Sequence, residues 1–137
     1  MESGDSATAM AVARYFLELY PYVYATGDLA EWKALSHPEC VFCASVVTNA
    51  EALYAAGQRA QGGMVRITES SVKEISDRWY SVQLTMTQDP STTIGSDGAV
   101  VEDFPEEKTY ATGIAVLWEG GAWTVREVEP KVVDGAQ

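Results

Sequence analysis

The first half of the chain repeats its apolar residues at helical spacing. Steps of three and four residues place these side chains on one face of a helix. The apolar stripe consists of Val12, Phe16, Leu19, Tyr20, Val23 and Tyr24. Pro21 lies inside the stripe and is expected to kink or break the helix, because proline removes a backbone donor. Gly27 is expected to end the helix in a left-handed conformation.

Two further helices are predicted next. Asp28 and Glu31 have the three-residue spacing of a capping box, which predicts the start of a short second helix. Pro38 suits the first position of a third helix, where a backbone N–H has no helical partner anyway. The helical period then continues to Gly57, and residues 58–63 are expected to form a polar, glycine-rich connection.

After the third helix the apolar period becomes two, as in strands. In the clearest case Tyr80, Val82 and Leu84 alternate with polar residues. Strands are predicted at 64–75, 78–88, 108–119 and 122–129. Residues 91–107 are rich in turn formers, and Asp97-Gly98 within them can fold a small exposed hairpin.

Helices first and strands afterwards predict an α+β fold. We expect three N-terminal helices packed on a curved, mainly antiparallel sheet of about four to six strands. Residues 9–130 form a single domain in this prediction, with a flexible leader at 1–8 and a loose tail at 131–137.

Charge narrows the range of partners. The chain carries 20 acidic and 9 basic residues, a formal net charge of -11. Nucleic acids and anionic membranes both require a basic surface, so neither is expected to bind. The acidity fits solubility or, alternatively, a site for cations or basic partners.

The sequence has no apolar run long enough to span a membrane. Its first residues, Met1 to Asp5, contain neither the basic nor the apolar region of a signal peptide. Two settings are open on this evidence: a cytoplasmic protein, or a mature extracytoplasmic chain that has lost its leader.

Cys40 and Cys43 are the chain's two cysteines, three residues apart at the expected start of the third helix. That spacing places the two α-carbons about 5 Å apart, within the range that a disulfide accepts. A structural disulfide in an oxidising compartment is the favoured interpretation. A redox-active pair is the first alternative, because a helix N-terminus lowers a thiol pKa. A metal site that includes His37 is the second, although structural zinc needs four ligands. We predict neither a metal nor a cofactor.

Several short motifs resemble a known superfamily. They are Tyr24-Ala25-Thr26-Gly27-Asp28, Leu35-Ser36 followed by Pro38-Glu39-Cys40 with Cys43, Ala55-Ala56-Gly57 leading to Gly62-Gly63, and Trp118-Glu119-Gly120-Gly121-Ala122-Trp123-Thr124-Val125. Over about residues 9–129 the chain resembles the nuclear-transport-factor-2-like, or cystatin-like, cone. More narrowly, its first half is similar to an uncharacterised family of bacterial cell-surface lipoproteins.

The resemblance implies a setting rather than a reaction. Members of the lipoprotein family carry a signal peptide and a lipid-modified cysteine, which implies an extracytoplasmic protein anchored to the cell envelope. The cone fold hosts isomerases, dehydratases, hydrolases and non-catalytic binders, so it does not define an activity. Pairing of sheet faces is common in this fold, so the resemblance is also compatible with a homodimer.

The cone fold encloses a cavity between the first helix and the concave face of the sheet. A ligand pocket there would be lined by Tyr20, Tyr24 and Trp118, with Arg66, Arg126 and Glu127 as polar members that depend on strand register. The alternative is a filled core from which the tyrosine hydroxyls reach solvent or backbone.

The leading functional hypothesis is a non-catalytic extracytoplasmic domain that binds a small ligand or a partner protein through this cavity or the sheet face. One alternative is an enzyme of isomerase or dehydratase type that uses an acid or base in the cavity, for which His37 is a weak candidate base. A thiol-disulfide redox protein is less favoured. No catalytic residue is assigned, and contact with a membrane is expected only through a lipid anchor.

Overall fold

The computed structural model describes residues 5–76 and 78–133. Three helices come first: α1 (Ser6–Thr26), α2 (Ala30–Leu35) and α3 (Val41–Ala55). Seven strands follow: β1 (Arg59–Gly62), β2 (Val65–Ser76), β3 (Trp79–Gln88), β4 (Ser91–Ile94), β5 (Val100–Phe104), β6 (Lys108–Glu119) and β7 (Ala122–Val132). The predicted α+β class is therefore confirmed.

The described strands form two antiparallel sheets. The larger sheet has the order β2-β3-β6-β7, and the smaller sheet has the order β1-β4-β5. The larger sheet, with four strands, agrees with the expected four to six. The smaller sheet in the described residues was not expected: β1 lies in the predicted connection, and β4 and β5 lie in the turn-rich stretch. The hairpin at Asp97-Gly98 is confirmed, since β4 pairs with β5 on either side of it. Register shifts in β2 and between β6 and β7 mark bulges, which bend a sheet.

The core lies between the helices and one face of the larger sheet. Alternate residues of β3 and β6 are buried, including Val82, Leu84, Ile114 and Val116. Phe16 of helix α1 belongs to the same core cluster as these strand residues. The ring of Phe16 stacks on the ring of Trp32, with the two centroids 3.8 Å apart. Fully burying each such side chain stabilises a fold by about 1.5–3 kcal/mol.

Helix α1 differs from its prediction at its start and in the middle. It begins at Ser6, where Asp5 accepts a hydrogen bond from the Thr8 N–H at 2.8 Å, so residues 6–8 of the expected leader are helical. The helix does not break at Pro21, which is buried, because the surrounding apolar face is held by the core. It ends at Gly27 as expected. Residues 1–4 of the leader lie outside the described residues.

The other boundaries move by a few residues. Helix α3 begins at Val41 rather than Pro38, and Cys40 is its N-cap. Asp28 accepts a hydrogen bond from the Ala30 N–H, but Glu31 accepts one from Tyr15 and completes no capping box. Strand β7 extends two residues into the expected tail, of which residues 134–137 lie outside the described part. Within the described chain, none of the helices has both the length and the apolar character to cross a bilayer.

Candidate ligand-binding cavity

An open cavity of about 540 Å³ lies between α1, α3 and the smaller sheet. The register of the smaller sheet explains which of its residues line the cavity, because every second residue of a strand points to the same face. Two rows of paired residues line the cavity: Ala60, Thr93 and Glu102 in one row, and Gly62, Ser91 and Phe104 in the other. Most of these side chains are small, so the wall leaves room for a ligand.

The helical wall carries two tyrosines. Tyr20 and Tyr24 are one helical turn apart, and their rings meet edge to face with centroids 5.2 Å apart. Asn49 and Leu53 of α3 complete this wall. Burial raises the pKa of Tyr20 well above its ordinary value, and the nearby hydroxyls of Tyr24 and Tyr110 add to the increase. Burial also raises the pKa of Tyr24, while hydrogen bonding to Asn49 and Tyr20 opposes that effect.

The larger sheet contributes the ends of two neighbouring strands. Gln88 ends β3 and is followed by Asp89, while Lys108 and Tyr110 belong to the start of β6. Gln88 donates a hydrogen bond from Nε2 to the Gly63 carbonyl at 3.1 Å, which ties this wall to the end of β1.

Acidic side chains surround the opening. Asp89, Glu102 and Glu106 all line the cavity, and the last two are exposed to solvent. Arg66 pairs with Asp89 at 2.9 Å and with Glu107 at 2.5 Å. Arg66 thus lies beside the cavity without lining it, and of its two partners only Asp89 belongs to the lining.

A second, smaller cavity of about 100 Å³ adjoins the first. The two cavities share Tyr20, Gln88 and Tyr110 as lining residues. The remaining walls of the smaller cavity are apolar: Leu17, Phe42, Val65, Met86, Val128 and Pro130. The site therefore combines a polar, acidic opening with a narrow apolar extension.

The structure brings together some of the predicted pocket residues and separates others. Tyr20 and Tyr24 line the cavity, and Arg66 contacts its rim. Trp118 lies near the β6–β7 turn and packs against Trp123 with ring centroids 5.2 Å apart, away from the cavity. Glu127 is exposed on β7 and does not line the cavity.

The sequence pattern did not predict Tyr110, Phe104 or the wall formed by the smaller sheet as parts of the cavity. Period-two alternation puts Tyr110 on the same strand face as Ile114 and Val116, but it does not indicate which end of that face borders a cavity. Phe104 and Glu102 are two residues apart, which is a strand signal too short to stand out in a turn-rich stretch.

The two cysteines form a disulfide, and neither of them lines the cavity. Their sulfurs are 2.09 Å apart and their α-carbons 5.2 Å apart. Both side chains are buried, and neither cysteine is free. Among the described residues there is no group of three His, Cys, Asp or Glu side chains suited to a metal ion. His37 Nδ1 accepts a hydrogen bond from the Glu39 N–H at 3.0 Å, outside the cavity lining.

Several solved structures have the same architecture as this chain. The intermembrane-space region of the chloroplast protein ARC6 has a TM-score of 0.71 at 12% identity, covering 94% of this chain and 98% of that one. The β subunit of benzoate 1,2-dioxygenase from Burkholderia mallei has a TM-score of 0.61 at 10% identity, covering 98% and 94%. An uncharacterised protein with a cystatin-like fold from Caulobacter vibrioides has a TM-score of 0.57 at 9% identity, covering 91% and 89%. At these identities the likeness shows the fold alone.

Helices followed by a curved sheet give the chain a cystatin-like fold, as the sequence motifs predicted. Within that class, the chain belongs to a family of unknown function, DUF6318, whose model matches residues 1–129. No curated protein matches the sequence. The narrower resemblance to cell-surface lipoproteins stays a prediction.

Proposed function

We propose that this protein is an extracytoplasmic, non-catalytic domain that binds a small ligand in the cavity between α1, α3 and the smaller sheet. The cavity itself carries the proposal. Its volume of about 540 Å³ falls within the range of small-molecule sites, roughly 300–1,000 Å³. Aromatic rings and a few polar groups line it, as is usual for such sites.

The arrangement of titratable groups favours binding over catalysis. A cavity enzyme of this type would need a histidine or a buried carboxylate positioned against its substrate. The chain's single histidine, His37, lies outside the cavity lining. The carboxylates of Glu102 and Glu106 are exposed at the opening, and Asp89 is engaged by Arg66.

The disulfide supports the proposed compartment. Structural disulfides persist in oxidising environments and are rare in the cytosol of mesophiles. Burial of both Cys40 and Cys43 fits a structural rather than a redox-active bond. The finer proposal, a lipid-anchored envelope protein, rests on the sequence resemblance. Metabolic labelling of the native host with an alkynyl fatty acid should label the protein, and unlabelled protein would count against the anchor.

Binding of an uncharged probe tests the cavity directly. N-phenyl-1-naphthylamine, whose fluorescence increases in apolar surroundings, should bind in a saturable manner with one site per chain. Ala60→Phe inserts a ring into the cavity wall and should weaken binding on the order of tenfold or more.

Gln61→Phe is the matched control, because Gln61 is exposed on the same strand and does not line the cavity. This variant should bind the probe as the wild type does. Absence of saturable binding by the wild type, or equal binding by Ala60→Phe, would remove the basis for the proposal.

A further inference from the structure

The cavity presents aromatic rings next to unpaired negative charge. Four aromatic side chains line it: Tyr20, Tyr24, Phe104 and Tyr110. The rings of Tyr20 and Tyr24 are 5.2 Å apart between centroids, and Tyr20 and Tyr110 both line the two adjoining cavities. Aromatic faces attract cations through the ring quadrupole, and quaternary ammonium groups are recognised in this way.

The charges at the opening favour a cation as well. Asp89 is paired with Arg66, but none of the ion pairs or hydrogen bonds found among the described residues involves the carboxylate of Glu102 or Glu106. Lys108 is the positively charged residue in the lining. Two free carboxylates therefore face one ammonium group, in a chain whose formal net charge is -11. Such a field raises the local concentration of cations.

An inorganic cation fits this site poorly. Divalent metal ions require several converging oxygen or nitrogen ligands at short range. No group of three carboxylate, histidine or cysteine side chains in the described chain could hold a metal. The tyrosine and phenylalanine rings would supply no ligand atoms to a hydrated metal ion, whereas their faces attract an organic cation.

We propose that the ligand is a small organic cation, an amine or quaternary ammonium compound that also carries an apolar group. Its charged group would lie between the aromatic rings and the carboxylates of Glu102 and Glu106. Its apolar group would extend toward the smaller cavity lined by Leu17, Met86 and Val128. This inference rests on the proposed function, since it specifies the ligand class of the same cavity.

Competition among compounds of matched shape tests the charge preference. Benzyltrimethylammonium, its uncharged isostere neopentylbenzene, and the anion phenylacetate should each be titrated against bound N-phenyl-1-naphthylamine. The cation should compete about tenfold more strongly than the isostere, and phenylacetate should compete least. Equal or weaker competition by the cation would overturn the inference.

Two double variants test whether the preference for a cation comes from the carboxylates at the opening of the cavity. In Glu102→Gln/Glu106→Gln, the ratio of cation affinity to isostere affinity should decrease severalfold. Glu74→Gln/Glu119→Gln makes the same change in net charge at exposed residues that do not line the cavity, and the ratio should stay constant. An equal loss in both double variants would show a general charge effect and would contradict the site.

The two proposals fail in different ways. If the wild type does not bind the uncharged probe, the cavity has no binding function. If the probe binds but the cation has no advantage, the cavity binds ligands and only the proposed ligand class is wrong.

Discussion

Among single residues, Tyr20 contributes to the core and to the cavity at once. Its ring contacts the rings of Tyr24, Trp32 and Phe42, and it lines both cavities. Its hydroxyl must remain protonated, because an ionised phenol at this depth would lose its hydration. The protonation state of Tyr20 is therefore coupled to the stability of the fold.

Stability should decrease in alkali because of this tyrosine. The pKa of Tyr20 is raised in the folded state, whereas an unfolded tyrosine has a pKa of about 10. Its stabilising contribution is thus complete below pH about 10 and is lost as the pH rises from there toward the folded-state pKa. Tyr20→Phe should show a shallower decrease in unfolding free energy above that pH. Urea unfolding at a series of pH values, followed by tryptophan fluorescence, measures this slope.

Tyr22→Phe serves as the comparison, because Tyr22 is exposed on the same helix and its pKa is raised by a hydrogen bond to Asp28 rather than by burial. It should change the slope less than Tyr20→Phe does. A Tyr20→Phe variant with the wild-type slope would contradict the proposed coupling.

Among the secondary-structure elements, the junction of α2 and α3 is held at several points. Trp32 Nε1 donates a hydrogen bond to the Cys43 carbonyl at 3.1 Å, and the His37 N–H donates one to the Val125 carbonyl at 2.9 Å. Arg126 of β7 pairs with Glu39 at 2.7 Å. The disulfide closes the short loop between these contacts, so it fixes where α3 begins relative to β7.

Removing the disulfide should destabilise the protein by a modest amount. The chain-entropy estimate for so short a loop is about 2 kcal/mol. Cys40→Ala/Cys43→Ala should therefore lower the free energy of unfolding by about that amount without abolishing folding. Urea unfolding of the double variant measures the loss, and wild type unfolded with dithiothreitol should give a similar value. Two free thiols in the denatured, non-reduced wild type, or an unchanged unfolding midpoint, would contradict the bond.

At the scale of the whole molecule, negative charge is the dominant feature. A formal net charge of -11 on 137 residues opposes compaction through self-repulsion. The four ion pairs found in the described chain are on exposed or half-exposed side chains, where such pairs stabilise a fold by about 0–1 kcal/mol each. They offset little of this repulsion.

Thermal stability should therefore increase with ionic strength. The Debye length shortens to about 8 Å at about 0.15 M salt. Repulsion between surface charges that are farther apart than this is therefore weakened. The thermal midpoint should rise as sodium chloride is raised from about 20 to 300 mM. Glu74→Gln/Glu119→Gln should show a smaller rise. A midpoint that falls with salt would mean that attractive ion pairs dominate.

The homodimer stays a prediction, and it concerns the whole molecule. Paired sheet faces would bring two acidic chains together, so association should also strengthen with salt. Sedimentation of the full chain at both salt concentrations can decide between monomer and dimer.

The order of helices and strands could largely be predicted from the sequence, because local patterns of apolar residues determine it. Helical spacing of Val12, Phe16 and Val23, and alternation through Val82 and Leu84, depend only on which side chains share a face. The three-residue spacing of the cysteines likewise constrains their distance by local geometry alone. These patterns predicted the α+β class, the helices-first order and the disulfide.

Tertiary structure alone decided where the cavity lies. The smaller sheet pairs Ala60 with Thr93, residues that are distant in sequence and carry no periodic apolar signal. Thr93 in turn pairs with Glu102 across the hairpin at Asp97-Gly98. For the same reason Trp118 and Tyr110, eight residues apart on one strand face, could not be distinguished as core and cavity residues. Periodicity determines the face of a strand, but only the packing of α1 and α3 over one end of that face leaves space for a ligand.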